Sequence, residues 1–276
     1  MLRLSRVNST YFLFQIQFQK KVEVHVQDVS AFSAALTSVG IDLSDVKLVQ
    51  SNAVVRPLQA VTVQGGLQLS VSSSLGGGRC TTGFAATRGS ERGFLAAGHC
   101  AILAQDGAAD PNVKISLAGN LFNHGASKWN STTDLAFFWN SSNNLVAGVN
   151  WGGGVHPIRS TASNLLTPGT LVCKMGSVSG YACKQVNSNN TTTTDTRTGK
   201  TVGPTSTLYC HDCTGTTNPL GLKGDSGGPV YINGTAYGII RSADYDQYNN
   251  PLGKWLWFTP STRFVELSNV NLLLAP

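Results

Sequence analysis

Three short stretches of this chain carry side chains that together could transfer an acyl group: Ala96-Ala97-Gly98-His99-Cys100, Thr133-Asp134-Leu135-Ala136 and Gly224-Asp225-Ser226-Gly227-Gly228-Pro229. A hydroxyl is a weak nucleophile, so this chemistry needs a base to take its proton and a buried carboxylate to hold that base in one tautomer. Ser226, His99 and Asp134 supply one of each. Asp134 enters an apolar run, where burial of an unpaired carboxylate is expensive, so it is expected to face the Nδ1–H of His99. Asp110, followed by Pro111 in a turn-like segment, is the competing acid. Gly224, Gly227 and Gly228 lack a Cβ, so the backbone can turn sharply and aim the N–H groups of Gly224 and Ser226 at one point, an oxyanion hole. His25, His124, His156 and His211 have no comparable setting and are read as structural or solvated.

These motifs, in the order His, Asp, Ser, resemble the chymotrypsin-like serine proteases rather than the subtilisins or α/β-hydrolases. The chain is most similar to their bacterial-type members, the α-lytic protease and streptogrisin group. Cys80-Thr81-Thr82-Gly83-Phe84, Thr87-Arg88-Gly89 and Gly98-His99-Cys100 resemble that group's first barrel, and Val172-Cys173-Lys174 with Gly180-Tyr181-Ala182-Cys183 its second. The likeness runs from about Gly65 to Phe258, with a gap between Lys184 and Leu222. It implies an all-β fold of two antiparallel six-stranded barrels with the site between them, and a serine endopeptidase acting on extended polypeptides without a cofactor or metal. It also implies that Asp225 supports the oxyanion loop instead of attacking, and that Cys80 pairs with Cys100 and Cys173 with Cys183.

The third cysteine pair departs from the group. Cys210-His211-Asp212-Cys213 stands upstream of the serine loop with no partner beyond it, and reads as a local disulfide, two free thiols or half of a metal site. A zinc site needs four ligands and no second pair is in view. The pocket wall should include Leu220, Gly221 and Leu222 and the residues Arg241, Ser242 and Ala243. Relatives usually carry Ser-Gly-Gly or Ser-Trp-Gly at that wall, whereas this chain has Ile240-Arg241-Ser242-Ala243-Asp244. With no acid at the pocket base by this alignment, a strict Arg/Lys preference is not expected, although Asp244 or Asp246 could reverse that. Lys223 is expected to point to solvent.

The elements that must hold these residues are short. From Val61 onward β-rich runs are separated by Gly, Asn, Ser and Pro, which signals a sandwich or barrel. The expected protease domain is 61–276, with a first barrel at about 61–155, a second at about 156–260 and a C-terminal helix at about 261–268. Asn187 to Lys200, centred on four threonines, reads as a mobile surface loop.

Residues 1–60 read differently. Val22, Val24 and Val26 alternate as in a strand, Asp28 or Ser30 can cap a helix through Phe32, Ala35, Leu36 and Val39, Gly40 stops it, and Asp45 to Gln50 forms a second strand. Such a small β-α-β unit has little core, and Arg56 to Ala60 reads as an exposed connector. In the resembled proteases a segment like this is the end of a pro-region that assists folding, occupies the site as an inhibitor and is cut off; cleavage is expected near Ala60. The alternative is an ordinary accessory domain. Tyr11 to Phe18, broken by Gln15 and Gln17, is too polar for a signal core, so the true N-terminus is expected elsewhere.

Charged residues make up only 12% of the 276 residues, against abundant glycine, serine, threonine and asparagine, which fits a secreted all-β protein and excludes a helical bundle. The net charge of +6 is scattered, apart from Lys20-Lys21, and so argues against nucleic-acid binding. No apolar run approaches the roughly twenty residues that span a bilayer. Six cysteines fit an oxidising compartment. Sequons at Asn8, Asn130, Asn140, Asn189, Asn190 and Asn233 fit a secretory route. A monomer is expected. A non-catalytic binder on the same fold is the competing function, kept in view by the unusual 240–244 wall and the displaced third cysteine pair.

Overall fold

The computed structural model describes residues 13–15, 22–26, 28–50, 61–73, 76–101, 112–194 and 201–276. Asp110, the Arg56–Ala60 connector, the Asn8 sequon and most of Tyr11–Phe18 lie outside the described residues. The chain divides into two compact units, Met1–Leu58 and Gln59–Pro276.

In the first unit, strand Val22–Val26 runs parallel to Val46–Gln50 and antiparallel to the short strand Leu13–Gln15. Helix Val29–Ser38 makes the crossover. It starts where Asp28 Oδ1 accepts the Ala31 N–H at 2.9 Å, and ends where Gly40 takes φ +78°, a left-handed conformation that glycine adopts without steric cost. No helix residue is buried, and the described core of this unit is Val24 and Val26.

The second unit is almost entirely strand, in two halves. An eight-stranded sheet runs in the order Val270–Leu272, Ala85–Arg88, Glu91–Ala96, Asp134–Trp139, Asn120–Trp129, Lys114–Leu117, Gln68–Ser73, Gly76–Thr81. It is accompanied by a three-stranded sheet of Val155–Pro157, Asn143–Asn150 and Val61–Gly65. Leu69, Phe94, Ile115, Phe137 and Phe138 fill this half. In the other half, Thr235–Tyr245, Pro229–Ile232, Leu171–Gly176, Gly180–Thr194, Thr201–Tyr209 and Pro251–Pro260 are hydrogen-bonded in that order, and the first pairs with the last, closing six strands into a barrel around Val172, Leu208, Leu256 and Phe258. Closure leaves that barrel with no unpaired edge. The resemblance implies two six-stranded barrels; the second half is one, and the first, an eight-stranded sheet with a three-stranded one, is consistent with the double-barrel class. Among the described residues no helix is long and apolar enough to cross a membrane.

Two local expectations are corrected. The stretch from Asn187 is no loop: strand Gly180–Thr194 carries it as far as Thr194 and pairs with Thr201–Tyr209. Threonine's branched Cβ favours extended backbone, which outweighs the polarity that suggested a loop, and repeated register shifts absorb the imperfect match. The C-terminal helix is a 3₁₀ helix over Ser261–Glu266, after which Val270–Leu272 crosses back to pair with Ala85–Arg88 in the first half. Val155–Pro157 pairs with Asn143–Asn150 within the first half.

Candidate active site

Strand Glu91–Ala96 delivers the chain to a 3₁₀ turn, Gly98–Cys100, that carries His99. Its neighbour Asp134–Trp139 pairs with it in the register Ala136 to Ala96, so the first residue of one strand and the turn after the other meet at the same end. Gly98 makes the approach possible: a Cβ there would stand 2.8 Å from Lys128 O and 3.0 Å from Asp134 Oδ1. Asp134, 1% exposed, then grips His99 at two points. Its Oδ1 accepts the His99 backbone N–H at 2.8 Å, and its Oδ2 lies 2.7 Å from Nδ1. An ionised carboxylate only accepts, so Nδ1 carries the proton and Nε2 is left as an acceptor. Burial by itself raises the Asp134 carboxyl, but the His99 charge and ring hydrogen bond, the Arg241 charge and the His99 N–H together outweigh it and hold the group below its ordinary value.

The serine loop is held from beneath. The Asp225 carboxylate, 1% exposed, accepts the N–H groups of Leu222 at 2.8 Å, Val178 at 2.9 Å and Ser179 at 3.0 Å, and the Ser179 hydroxyl as well. Gly176 leaves it room, since a Cβ there would overlap the Asp225 side chain at 2.2 Å. Thr81, next to the Cys80–Cys100 disulfide, ties the loop to the first half. Its N–H donates to Ser226 O at 2.8 Å and its hydroxyl to Gly224 O at 2.7 Å. Cys100 Sγ lies 3.9 Å from Ser226 O.

Within this loop the N–H groups of Asp225, Gly227 and Gly228 donate to Leu222 O, Ile240 O and Asp225 O. Those of Gly224 and Ser226 donate to no protein acceptor among the described residues. Two unused donors flanking a half-buried hydroxyl are equipped to bind the oxyanion of a tetrahedral acyl intermediate. The Ser226 hydroxyl itself donates to Arg241 O at 3.3 Å.

The expected pocket residues separate into two groups. Gly221 packs against Ala243 and Leu256, where a Cβ would come within 3.0 Å and 2.8 Å of their side chains, and Leu220 is corrected from pocket to core, being fully buried in the second half beside Leu208 and Leu256. Arg241 is corrected. It is 5% exposed, and its side chain leaves the wall for Asp134, with Nε 3.8 Å from Oδ2. Asp244 is engaged by the N–H groups of Lys254 and Trp255, and Asp246 by Tyr248 and Asn250, so both carboxylates are used inside their own hairpin. Lys223 donates to Asn249 Oδ1 at 2.6 Å and lies over the Tyr245 ring instead of standing free.

All three disulfides form: Cys80–Cys100, Cys173–Cys183 and Cys210–Cys213. This settles the local pair as a bridge. The ligand atoms of Cys80, His99 and Cys100 lie within 4.8 Å of one another, but bridged sulfurs offer no thiolate to a metal.

Sequence reasoning missed Lys174. It is fully buried, donates to Ser179 Oγ and to Gly180 O at 2.8 Å, and so supports the Asp225 anchor through Ser179. Its place beside the bridged Cys173 was the one available signal. Burial, partly offset by the Asp225 charge, brings its ammonium down from 10.5 to about 8. Between those two values the unfolded chain holds a proton that the folded one lacks, so this group makes stability rise with pH over that window, by about 3 kcal/mol in all. In Lys174→Met that contribution vanishes. The urea stability of the parent minus that of the variant, both carrying Ser226→Ala to prevent autolysis, should therefore increase between pH 8 and pH 10.5. A difference that does not vary with pH would show that Lys174 keeps its proton throughout.

Comparison with known proteins bears on the whole arrangement. The trypsin family model matches residues 59–266. Streptogrisin-C of Streptomyces griseus is 30% identical over 254 residues, covering 92% of this chain and 50% of that protein, so the chain spans half the length of this curated relative. Among solved structures, Thermobifida fusca Protease A superposes with a TM-score of 0.60 at 22% identity, covering 78% of this chain and 100% of that one. The Nocardiopsis protease does so with a TM-score of 0.59 at 23% identity, covering 77% and 99%. At these identities the two structures speak for the fold.

Proposed function

Since the chain belongs to the trypsin family of chymotrypsin-like serine proteases, we propose that it is a secreted serine endopeptidase that opens peptide bonds through an acyl-enzyme on Ser226. His99 Nε2 takes the Ser226 proton as Oγ attacks the carbonyl carbon, and the carbonyl oxygen gains negative charge between the N–H groups of Gly224 and Ser226. The imidazolium then returns the proton to the leaving amine. Water, deprotonated by the same ring, attacks the acyl carbon and frees Ser226. Asp134 stays ionised throughout, holding the ring in the tautomer that leaves Nε2 free. One observation carries the reading: the two-point grip of Asp134 on His99 stands beside a serine loop whose two unused N–H groups flank the hydroxyl.

The finer features rest on further observations. Three disulfides and no free cysteine among the six suit an oxidising, extracellular setting. Residues 1–58 form a separate unit whose core among the described residues is two valines, as suits a pro-segment that helps folding, inhibits the site and is removed near Ala60. The substrate is an extended polypeptide.

A fluorophosphonate probe, applied before and after cleavage near Ala60, tests both parts. The cut protein should be labelled at Ser226 within minutes and turn over a peptide substrate, and the uncut chain should be slower in both. Absence of labelling in the cut, folded protein would reject the protease reading in favour of a binding role. Equal rates for cut and uncut chain would reject the inhibitory pro-segment while leaving the protease intact.

A further inference from the structure

The side chain and the backbone of one residue reach both ends of the catalytic apparatus. Arg241 places its guanidinium Nε 3.8 Å from Asp134 Oδ2, and its carbonyl oxygen accepts the Ser226 hydroxyl at 3.3 Å. The same guanidinium donates from Nη1 to Ser131 O at 3.3 Å and from Nη2 to Asn130 O at 3.0 Å, the carbonyls of the turn that leads into Asp134. That turn is further closed by Asn130 Oδ1, which accepts the N–H groups of Thr132 and Thr133. Arg241 stands where strand Thr235–Tyr245 slips register against Pro251–Pro260 between Ile240 and Ser242, and such a bulge re-aims a residue that strict alternation would turn elsewhere.

A buried guanidinium is retained where its charge and its fork of donors are both matched. Here one carboxylate edge and two backbone carbonyls match it. The other charged or titratable groups on the elements around Asp134 are His99 itself, Lys128, Arg263 and Glu266, with His124, Glu91 and Arg92 farther along the two neighbouring strands. Lys128 and Arg263 both pair with Glu266, at 3.7 Å and 3.2 Å, and among the described residues Arg241 is the one arginine or lysine within ion-pair distance of Asp134.

We propose that Arg241 is a positioning residue of the triad, clamping the 130–131 turn so that the Asp134 carboxylate keeps its two-point grip on His99, and tempering with its positive charge the pull of that carboxylate on the imidazolium. This rests on the protease reading above and extends it to a side chain that acts through Asp134.

The test compares Arg241→Met and Arg241→Lys in the matured protein. Methionine keeps the bulk and removes both charge and donors. It should lower kcat about 10²-fold with little change in KM, because a carboxylate released from its clamp misplaces the ring. It should also move the acid limb of kcat/KM to higher pH, because loss of a nearby positive charge favours the protonated form of the base. Lysine restores a charge without the fork, so it should return the acid limb to that of the parent while kcat stays reduced.

An unchanged kcat and acid limb in Arg241→Met would overturn the proposal, as would a loss confined to KM, which is what a substrate-wall residue would show. If Arg241→Met does not fold, Arg241→Lys decides alone: parental kcat, or a shifted acid limb, would sink the clamp. Fluorophosphonate titration of the parent keeps the two readings apart, since an unlabelled parent defeats the triad itself, whereas a labelled parent with indifferent Arg241 variants defeats only this assignment.

Discussion

Ser226→Ala should lower kcat by about 10⁶-fold and leave KM almost unchanged. The substitution removes a single oxygen. In the structure that oxygen donates to Arg241 O and carries none of the bonds that shape the loop. Those bonds belong to Asp225, with its three backbone donors and the Ser179 hydroxyl, and to Thr81, which holds Ser226 O and Gly224 O. The oxyanion donors and the substrate walls therefore persist, which is why some catalysis over water, about 10³-fold, should survive. The measurement is turnover of a peptide amide by the matured variant, freed of parent enzyme, with urea stability recorded alongside. Retention of more than a few per cent of activity in a folded variant would place the nucleophile elsewhere and end the mechanism.

Asp134→Asn should cost about 10⁴-fold in kcat while the fold stays intact. The reason lies in which oxygen does what. Oδ1 accepts the His99 backbone N–H, so in the variant the amide oxygen must keep that place. The amide NH₂ then falls where Oδ2 was, facing both His99 Nδ1 and the Arg241 guanidinium. A donor opposite Nδ1 forces the ring proton onto Nε2, and the base is disarmed without moving. The Arg241 charge, left without its counter-ion, adds to the loss. Labelling by the fluorophosphonate should slow in proportion to kcat. A variant that loses less than about tenfold would mean that the imidazole is oriented by something other than this carboxylate.

The residue types of the active site were legible because catalysis constrains them locally. Glycines around Ser226 and beside His99, and an acid at the head of an apolar run, are patterns that few other roles would produce. The alternating strands, the β-α-β unit before Val61 and the pairs Cys80–Cys100 and Cys173–Cys183 were legible on similar grounds, by periodicity and by resemblance. The threonine run before Lys200 misled, because polarity suggested exposure while strand pairing was decided by a distant segment, Thr201–Tyr209. The state of Cys210 and Cys213 could not be read from spacing either, since a bond between them depends on the turn that brings their Cα atoms to 5.4 Å.

What the sequence determined by itself, then, is which groups can react and the secondary structure that carries them, because both depend on residue types within a few positions of one another. What the tertiary structure alone decided is how those groups are supported: that Arg241 turns from the substrate wall to Asp134, that Thr81 of one half holds the serine loop of the other, and that a buried Lys174 braces the Asp225 anchor through Ser179. Arg241 with Asp134, Thr81 with Gly224 and Ser179 with Asp225 are each far apart along the chain. The free energy of burying a charge or a carbonyl is set by whichever neighbours the fold supplies, and no local pattern announces them.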